Sequence, residues 1–148
     1  MKKIYSIPEL CINCGRCEVA CKTAHSKSKN PVKAYKYESC PAPRIRVEGT
    51  NDFSFASNCR HCAKPLCVEA CIAGAMQKDP ETGVVFVDER KCVGCGTCVV
   101  TCPFGAVHVE QTAIKCDLCG SCQGQPGNPS CVAACPNRAL VYVESEDE

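Results

Sequence analysis

The apolar residues of this chain fall into short segments separated by turn residues. Residues 84–87, 107–109 and 140–143 are rich in β-branched or aromatic side chains and therefore predict three short strands. Residues 78–83, with the sequence Lys-Asp-Pro-Glu-Thr-Gly, are a strong turn signal beside the first of these strands. Short hairpins are expected, and no apolar run approaches the roughly 18 residues of a membrane-spanning helix, so direct membrane insertion is not expected.

Cysteine is the residue that the composition singles out. The chain has 18 cysteines in 148 residues, no tryptophan and only 5% aromatic residues, so an ordinary hydrophobic core would be thin. Residues 1–10 lack the apolar stretch of a signal peptide, which predicts a cytoplasmic protein, attached to a membrane complex at most through a partner. In that reducing compartment, a dense cysteine pattern indicates metal binding rather than disulfides.

The charged residues are unevenly distributed. Residues 1–46 hold ten Lys or Arg against three acidic residues, whereas the rest of the chain holds seven against thirteen. Because the larger part is acidic, a nucleic-acid partner is not expected. Residues 144–148 are interpreted as a solvated acidic tail.

Sixteen cysteines form four motifs of one kind. The first and third have the spacing C-x2-C-x2-C-x3-C, the second widens the middle gap to four residues, and the fourth widens it to eleven. The motifs are Cys11, Cys14, Cys17 and Cys21; Cys59, Cys62, Cys67 and Cys71; Cys92, Cys95, Cys98 and Cys102; and Cys116, Cys119, Cys131 and Cys135. Since the outer intervals never change, the insertions are expected in surface loops of four similar metal sites.

Short helices are expected between the third and fourth cysteines, at residues 18–20, 68–70, 99–101 and 132–134. Pro103 and Pro136 follow the last cysteine of two motifs and would end those helices. Five glycines would let the backbone fold closely around an inorganic core, namely Gly15, Gly94, Gly96, Gly105 and Gly120.

Together these elements predict an α+β fold of two ferredoxin-like two-cluster units, with short β-hairpins and short helices around the clusters. Residues 1–148 form a single four-cluster unit in this interpretation. The inner half spans about 53–110, and the outer half combines about 1–30 with 111–143. Residues 22–58 are interpreted as a proline-containing connector with one strand at 44–48.

The spacing favours 4Fe-4S clusters. Three thiolates within seven residues can hold three corners of a cubane, and the fourth cysteine of the bacterial ferredoxin motif binds the other cluster of a pair. Four motifs then provide two pairs, which hold four 4Fe-4S clusters. The alternative of another class is a zinc-binding structural module, but zinc sites do not require the third and fourth cysteine at these intervals. The C-x3-C-x2-C triplet of radical-generating enzymes is absent from the sequence.

Two cysteines and three histidines remain outside the motifs. Cys122 could replace Cys131 as a ligand, but only Cys131 keeps the three-residue interval to Cys135, so Cys122 and Cys40 are interpreted as free thiols. His61 lies between two cysteines and is expected at the surface or in a hydrogen bond outside the metal. His25 and His108 have no partner motif.

From Cys11 to Val143 the chain resembles the four-cluster iron-sulfur subunits of the dimethyl sulfoxide reductase type. The resemblance rests on the order of the four motifs, the wide gaps in the second and fourth, and the Cys-Pro that closes the third and fourth. The segments Cys-Glu-Val-Ala-Cys-Lys-Thr-Ala-His-Ser-Lys-Ser-Lys and Cys-Arg-His-Cys-Ala-Lys-Pro-Leu-Cys are most similar to the electron-transfer subunits of carbon monoxide dehydrogenase and of tungsten aldehyde oxidoreductases.

The resemblance implies crossed ligation, in which each cluster takes three cysteines from one motif and one from another. The implied sets are Cys11, Cys14, Cys17 and Cys135; Cys116, Cys119, Cys131 and Cys21; Cys59, Cys62, Cys67 and Cys102; and Cys92, Cys95, Cys98 and Cys71.

The resemblance also implies a function, the relay of single electrons between a catalytic metalloenzyme and a second electron carrier. Carbon monoxide dehydrogenase is the first candidate for the catalytic partner. The alternative is a tungsten or molybdenum aldehyde or formate oxidoreductase, or a hydrogenase. The chain has no G-x-G-x-x-G, phosphate loop or nucleophile–base constellation, so it is not expected to be an enzyme. A chain of this length folds to a radius of gyration of roughly 15 Å, so four clusters must lie in a row whose ends approach the surface.

Overall fold

The computed structural model describes residues 1–39, 42–120 and 128–144. Within these residues the fold is α+β, with five short α-helices and four two-stranded antiparallel sheets. The helices are α1 (Arg16–His25), α2 (Pro31–Lys36), α3 (Leu66–Glu69), α4 (Thr97–Thr101) and α5 (Ser130–Ala134), and a 3-10 turn covers Pro8–Leu10. The strands are β1 (Lys2–Ser6), β2 (Arg46–Gly49), β3 (Ser54–Ser57), β4 (Met76–Lys78), β5 (Val85–Val87), β6 (Val107–Val109), β7 (Ala113–Lys115) and β8 (Leu140–Glu144).

Three of the sheets are local hairpins and the fourth joins distant parts of the chain. Strands β2 and β3, β4 and β5, and β6 and β7 pair with their neighbours in sequence. Strand β1 instead pairs with β8, with Ile4 opposite Tyr142. The three strands predicted from the apolar segments are confirmed to within one residue at each end, and the predicted turn at 78–83 connects β4 to β5.

Four of the helices carry the third cysteine of a motif, as the sequence predicts. Helices α4 and α5 end immediately before Cys102 and Cys135, each of which is followed by proline. Helix α1 is longer than expected, because no proline follows Cys21 and the helix continues to His25.

The segment interpreted as a connector contains more structure than the sequence predicts. The strand expected at 44–48 overlaps β2, but helix α2 and strand β3 were not anticipated. Pro31 reads as a helix breaker, yet it occupies the first position of α2, where its missing N–H costs nothing. The Asn30 side chain caps this helix by accepting a hydrogen bond from the Lys33 N–H at 3.2 Å.

Two groups of buried residues form the core. The first joins the β1–β8 sheet, α1, α5 and the β2–β3 hairpin, and it includes Ile45, which is only 1% exposed. The second lies between the β4–β5 and β6–β7 hairpins and α4. Cysteines supply a large share of both groups, which agrees with the thin apolar core expected from the composition. None of the described helices has the length and apolar character needed to cross a membrane.

Candidate metal centres

The first C-x2-C of every motif uses the same backbone turn. The residue before the second cysteine has a positive φ each time, at Asn13 (56°), His61 (45°), Gly94 (69°) and Leu118 (55°). This left-handed conformation costs a non-glycine residue roughly 1–2 kcal/mol. The turn recurs despite that cost, so it is a property of the motif rather than of a particular side chain.

Four of the five singled-out glycines adopt positive φ, at Gly15, Gly94, Gly96 and Gly105. Gly120 does not, because Leu118 and Cys119 make the left-handed turn in the fourth motif. The sequence contained no signal that Leu118 and Cys119, rather than Gly120, would have positive φ, since leucine and cysteine are uncommon in that conformation.

Helix packing brings cysteines of different motifs together. In α1 the third and fourth cysteines of the first motif are four residues apart and lie about one turn apart on the same face, whereas Cys131 lies in α5 and Cys135 directly follows its last residue. Helix α1 packs against α5, and α3 packs against α4. Each helix pair therefore brings the last cysteine of one motif to the first three cysteines of the other.

Three cavities are each bordered by four motif cysteines. We name them site A (Cys11, Cys14, Cys17 and Cys135), site C (Cys59, Cys62, Cys67 and Cys102) and site D (Cys71, Cys92, Cys95 and Cys98). These quartets combine the same cysteines that the family resemblance implies as ligands of single clusters.

Three cysteines of the remaining quartet, Cys21, Cys116 and Cys131, are packed in the first core group, and Cys119 lies close enough to act on the Cys131 thiol. We name this quartet site B (Cys21, Cys116, Cys119 and Cys131). Burial raises the pKa of the Cys131 thiol, and the nearby thiols of Cys116, Cys21 and Cys119 raise it further. The thiol of Cys119 also lies 3.9 Å from the hydroxyl of Ser130. Four thiols gathered in this way suit a group that is held by thiolates.

Backbone N–H groups point at a sulfur in every site. Five thiols accept such hydrogen bonds, from the N–H of Arg44 to Cys21 (3.3 Å), His61 to Cys59 (3.4 Å), Met76 to Cys71 (3.4 Å), Ala113 to Cys92 (3.3 Å) and Ala139 to Cys135 (3.2 Å). The Met76 N–H is the main reason that the pKa of Cys71 lies below its usual value. Donors of this kind stabilise a thiolate and the negative charge of a cluster bound to it.

The donor sets fit cubane clusters. Zinc draws its ligands to within about 2.3 Å of one centre. In the described part of the chain, no three His, Cys, Asp or Glu side chains converge as they would around a single ion. The thiols of sites A, C and D instead line the walls of a cavity.

The four sites follow one another in the order A, B, C, D. Cys17 in site A and Cys131 in site B belong to the first core group, and so do Cys59 in site C and Cys116 in site B. Sites C and D share the second core group. Of the sixteen motif cysteines, Cys14 and Cys95 are exposed, and they belong to the two end sites.

The histidines have roles that the sequence did not reveal. His61 is buried rather than at the surface, and its Nδ1 accepts a hydrogen bond from the Val85 N–H at 2.9 Å. Burial lowers the pKa of His61 to about 3. The hydrogen-bonding alternative for His61 therefore agrees with the structure, and the surface alternative was wrong.

His25 does have a partner, in the fourth motif. Its ring contacts the carbonyl of Cys21 (2.8 Å) and the carboxylate of Asp117 (3.4 Å), which also binds Arg44 at 2.7 Å. Burial lowers the pKa of His25, but Asp117 and Cys21 outweigh burial and raise the value to about 9. Cys40 and Cys122 lie outside the described residues, so their interpretation as free thiols remains a prediction.

Two family models match the sequence. A 4Fe-4S dicluster domain matches residues 50–145, which contain the last three motifs, and a 4Fe-4S binding domain matches residues 4–24, which contain the first. These matches show that the cysteine motifs bind several 4Fe-4S clusters, and the sixteen cysteines fit four of them.

Known proteins are similar along nearly the whole chain. The electron transport protein HydN of Escherichia coli (strain K12) is 36% identical over 152 residues, which cover 90% of this chain and 83% of HydN. UacF of the same strain is 38% identical over 137 residues, or 92% of this chain, but the match spans only 20% of UacF.

A solved structure also resembles the described fold. In the active site complex BamBC of benzoyl coenzyme A reductase with benzoyl-CoA, one chain is 27% identical with a TM-score of 0.52. The similarity covers 100% of the present chain and 82% of that one.

Proposed function

Since the chain belongs to the family of 4Fe-4S dicluster domain proteins and is an iron-sulfur electron-transfer protein of oxidoreductase systems, we propose that it conducts single electrons through four clusters held at sites A to D. The clusters, when bound, supply the one-electron chemistry. The observation that carries the proposal is the position of the exposed thiols. Cys14 and Cys95 belong to opposite ends of the row, whereas the thiols of sites B and C are buried or half-buried.

The chain's own contribution is to hold and insulate the clusters. Burial at sites B and C keeps water away from the middle of the row, and exposure at Cys14 and Cys95 lets a partner approach its ends. Backbone N–H groups aimed at Cys21, Cys59 and Cys71 offset negative charge without adding a group that titrates. We assign no substrate chemistry to this chain.

Both ends present exposed apolar side chains. Around site D these are Ile72 (78%), Val93 (68%) and Val100 (89%), and at site A they are Leu10 (42%) and Ile12 (59%). Exposed apolar clusters of this kind are typical of protein interfaces. The ends differ in charge, because two cations lie beside site A, and we assign site D, with the larger exposed apolar fractions, to a lasting contact with the catalytic metalloenzyme. The site A end, where Arg16 and Lys29 border the groove beside Cys14, then meets the second electron carrier.

Carbon monoxide dehydrogenase is the catalytic partner that we propose first, in the cytoplasm. A tungsten or molybdenum aldehyde or formate oxidoreductase, or a hydrogenase, is the second candidate. Both follow from the resemblance of residues 17–29 and 59–67 to such electron-transfer subunits. Anaerobic co-purification followed by metal analysis and activity assays separates them. Nickel together with carbon monoxide oxidation indicates the first partner, whereas tungsten or molybdenum, or hydrogen oxidation, indicates the second. Val100→Glu should release the partner, whereas Val32→Glu, another exposed valine, should not.

The test of the relay itself begins with the anaerobically purified chain. We expect about sixteen iron and sixteen sulfide per chain, with magnetically coupled cubane signals in electron paramagnetic resonance after dithionite reduction. Reduction of an added electron carrier by the reduced chain should then be fast in single-turnover mixing. A preparation with about four zinc and no paramagnetic signal would overturn the proposal in favour of a structural module.

A further inference from the structure

Lys115 is a charged residue buried in the middle of the molecule. It is the last residue of β7 and is 3% exposed. Its Nζ donates hydrogen bonds to the carbonyl oxygens of Val85 and, at 2.8 Å, of Cys116. No carboxylate among the described residues lies within ion-pair distance of this ammonium.

A buried ammonium without a negative partner is unfavourable, because its desolvation costs several kcal/mol that two carbonyl dipoles offset only in part. A lysine placed in this way for packing alone would be expected to have an acidic neighbour. The missing negative charge therefore points to a group that binds nearby.

The position of Lys115 identifies that group. Within the β6–β7 hairpin it lies opposite Val107, which lines site C, as does Val85, whose carbonyl binds the ammonium. The next residue in the chain, Cys116, belongs to site B. Lys115 thus lies at the junction between the two central sites.

The electrostatic influence of Lys115 reaches thiols on both sides of this junction. Burial raises the pKa of Cys67 in site C to about 11 and of Cys116 in site B to about 12. In both cases the positive charge of Lys115 opposes the rise. One ammonium therefore acts on two quartets that lie in different parts of the chain.

We propose that the ammonium of Lys115 is the shared counter-charge of the two central clusters and raises the reduction potentials of both. The inference rests on the proposed four-cluster relay. Each reduction adds one electron, and hence one negative charge, to a cluster, and a nearby fixed cation stabilises that charge. No proton moves in this step. Because the cation lies between sites B and C, it raises both potentials together relative to those of the end sites A and D.

The test is a redox titration of the holo-protein, followed by electron paramagnetic resonance. Lys115→Met keeps the length of the side chain and removes its charge, while Lys115→Gln keeps a hydrogen-bond donor and also removes the charge. We expect two of the four clusters to become at least tenfold harder to reduce in both variants, a shift of 59 mV for a one-electron couple. Lys115→Arg should restore the original potentials.

The matched control is Lys36→Met, which removes a charge from an exposed lysine at the end of α2, a helix that carries no motif cysteine. It should leave all four potentials unchanged. Three results would overturn the proposal. They are unchanged potentials in both neutral variants of Lys115, a shift in the potential of a single cluster, and an equal shift in the potentials of all four clusters. Failure of the relay itself would show differently, as missing iron or missing signals in the unmodified chain. If Lys115→Met does not retain its iron, Lys115→Gln and Lys115→Arg still decide the question.

Discussion

The proposed crossed ligation and a ligation in which each motif holds its own cluster predict opposite results for two double variants. Cys71 belongs to the second motif but lines the cavity of site D together with Cys95 of the third. Cys62 belongs to the same motif as Cys71 but lines site C. Two double variants therefore separate the alternatives, Cys71→Ala with Cys95→Ala, and Cys71→Ala with Cys62→Ala.

The expected magnitude follows from the lining of the cavities. With crossed ligands, the Cys71/Cys95 pair damages one cluster and leaves about three quarters of the iron in intact cubanes. The Cys71/Cys62 pair damages two clusters and leaves about one half. If each motif held its own cluster, the two results would be exchanged.

Mössbauer spectroscopy of protein grown on isotopically enriched iron, combined with total iron and protein assays, measures the unperturbed cubane iron per chain. Expressed against the iron of the unmodified chain, this amount does not depend on whether a damaged cluster is lost or survives with three irons. The single variants serve as controls, since each should leave about three quarters of the iron unperturbed. A larger intact fraction in the Cys71/Cys62 protein than in the Cys71/Cys95 protein would refute the assignment of sites C and D.

Three further predictions concern the chain around the clusters, with thermal unfolding under anaerobic conditions as the measurement. Asn13→Val should destabilise the holo-protein by about 1–2 kcal/mol, because the backbone at this residue is in the left-handed conformation. Asn13→Gly should not destabilise it, and equal effects of the two substitutions would contradict the strain argument. His61→Phe should cost about 1–3 kcal/mol by removing the acceptor of the Val85 N–H, and full stability would mean that this hydrogen bond is unimportant. Asp117→Asn should cost about 2 kcal/mol because its ion pair with Arg44 is largely buried, whereas Asp88→Asn, whose partner Arg90 is 92% exposed, should cost nothing measurable.

The sequence predicted the local structure near the cysteines well because the motifs carry their own signals. The intervals between the third and fourth cysteines, together with Pro103 and Pro136, located α4 and α5, and β-branched residues located β6. These features depend on neighbours within a few residues, so a linear pattern contains them.

The missed features depend on contacts between distant residues. The pairing of β1 with β8 and the ion pairs of Asp117 join segments that are far apart in sequence. Helix α2 was missed for a different reason, since a proline is compatible with either a loop or the first turn of a helix. The burial of His61 could not be inferred either, because its acceptor role requires the backbone of β5.

The pairing of β1 with β8 joins the two ends of the described chain, next to the first and fourth motifs. This arrangement has a consequence for the order in which the clusters are inserted during synthesis. Sites C and D use cysteines between Cys59 and Cys102, so under the proposed ligation both are complete once two thirds of the chain has left the ribosome. Sites A and B each combine the first motif with the fourth, and they remain open until Cys135 is synthesised. Cluster insertion is therefore expected to proceed outward from the inner pair. A nascent chain stalled before the fourth motif would then carry half its iron and have its outer thiols exposed to oxidants.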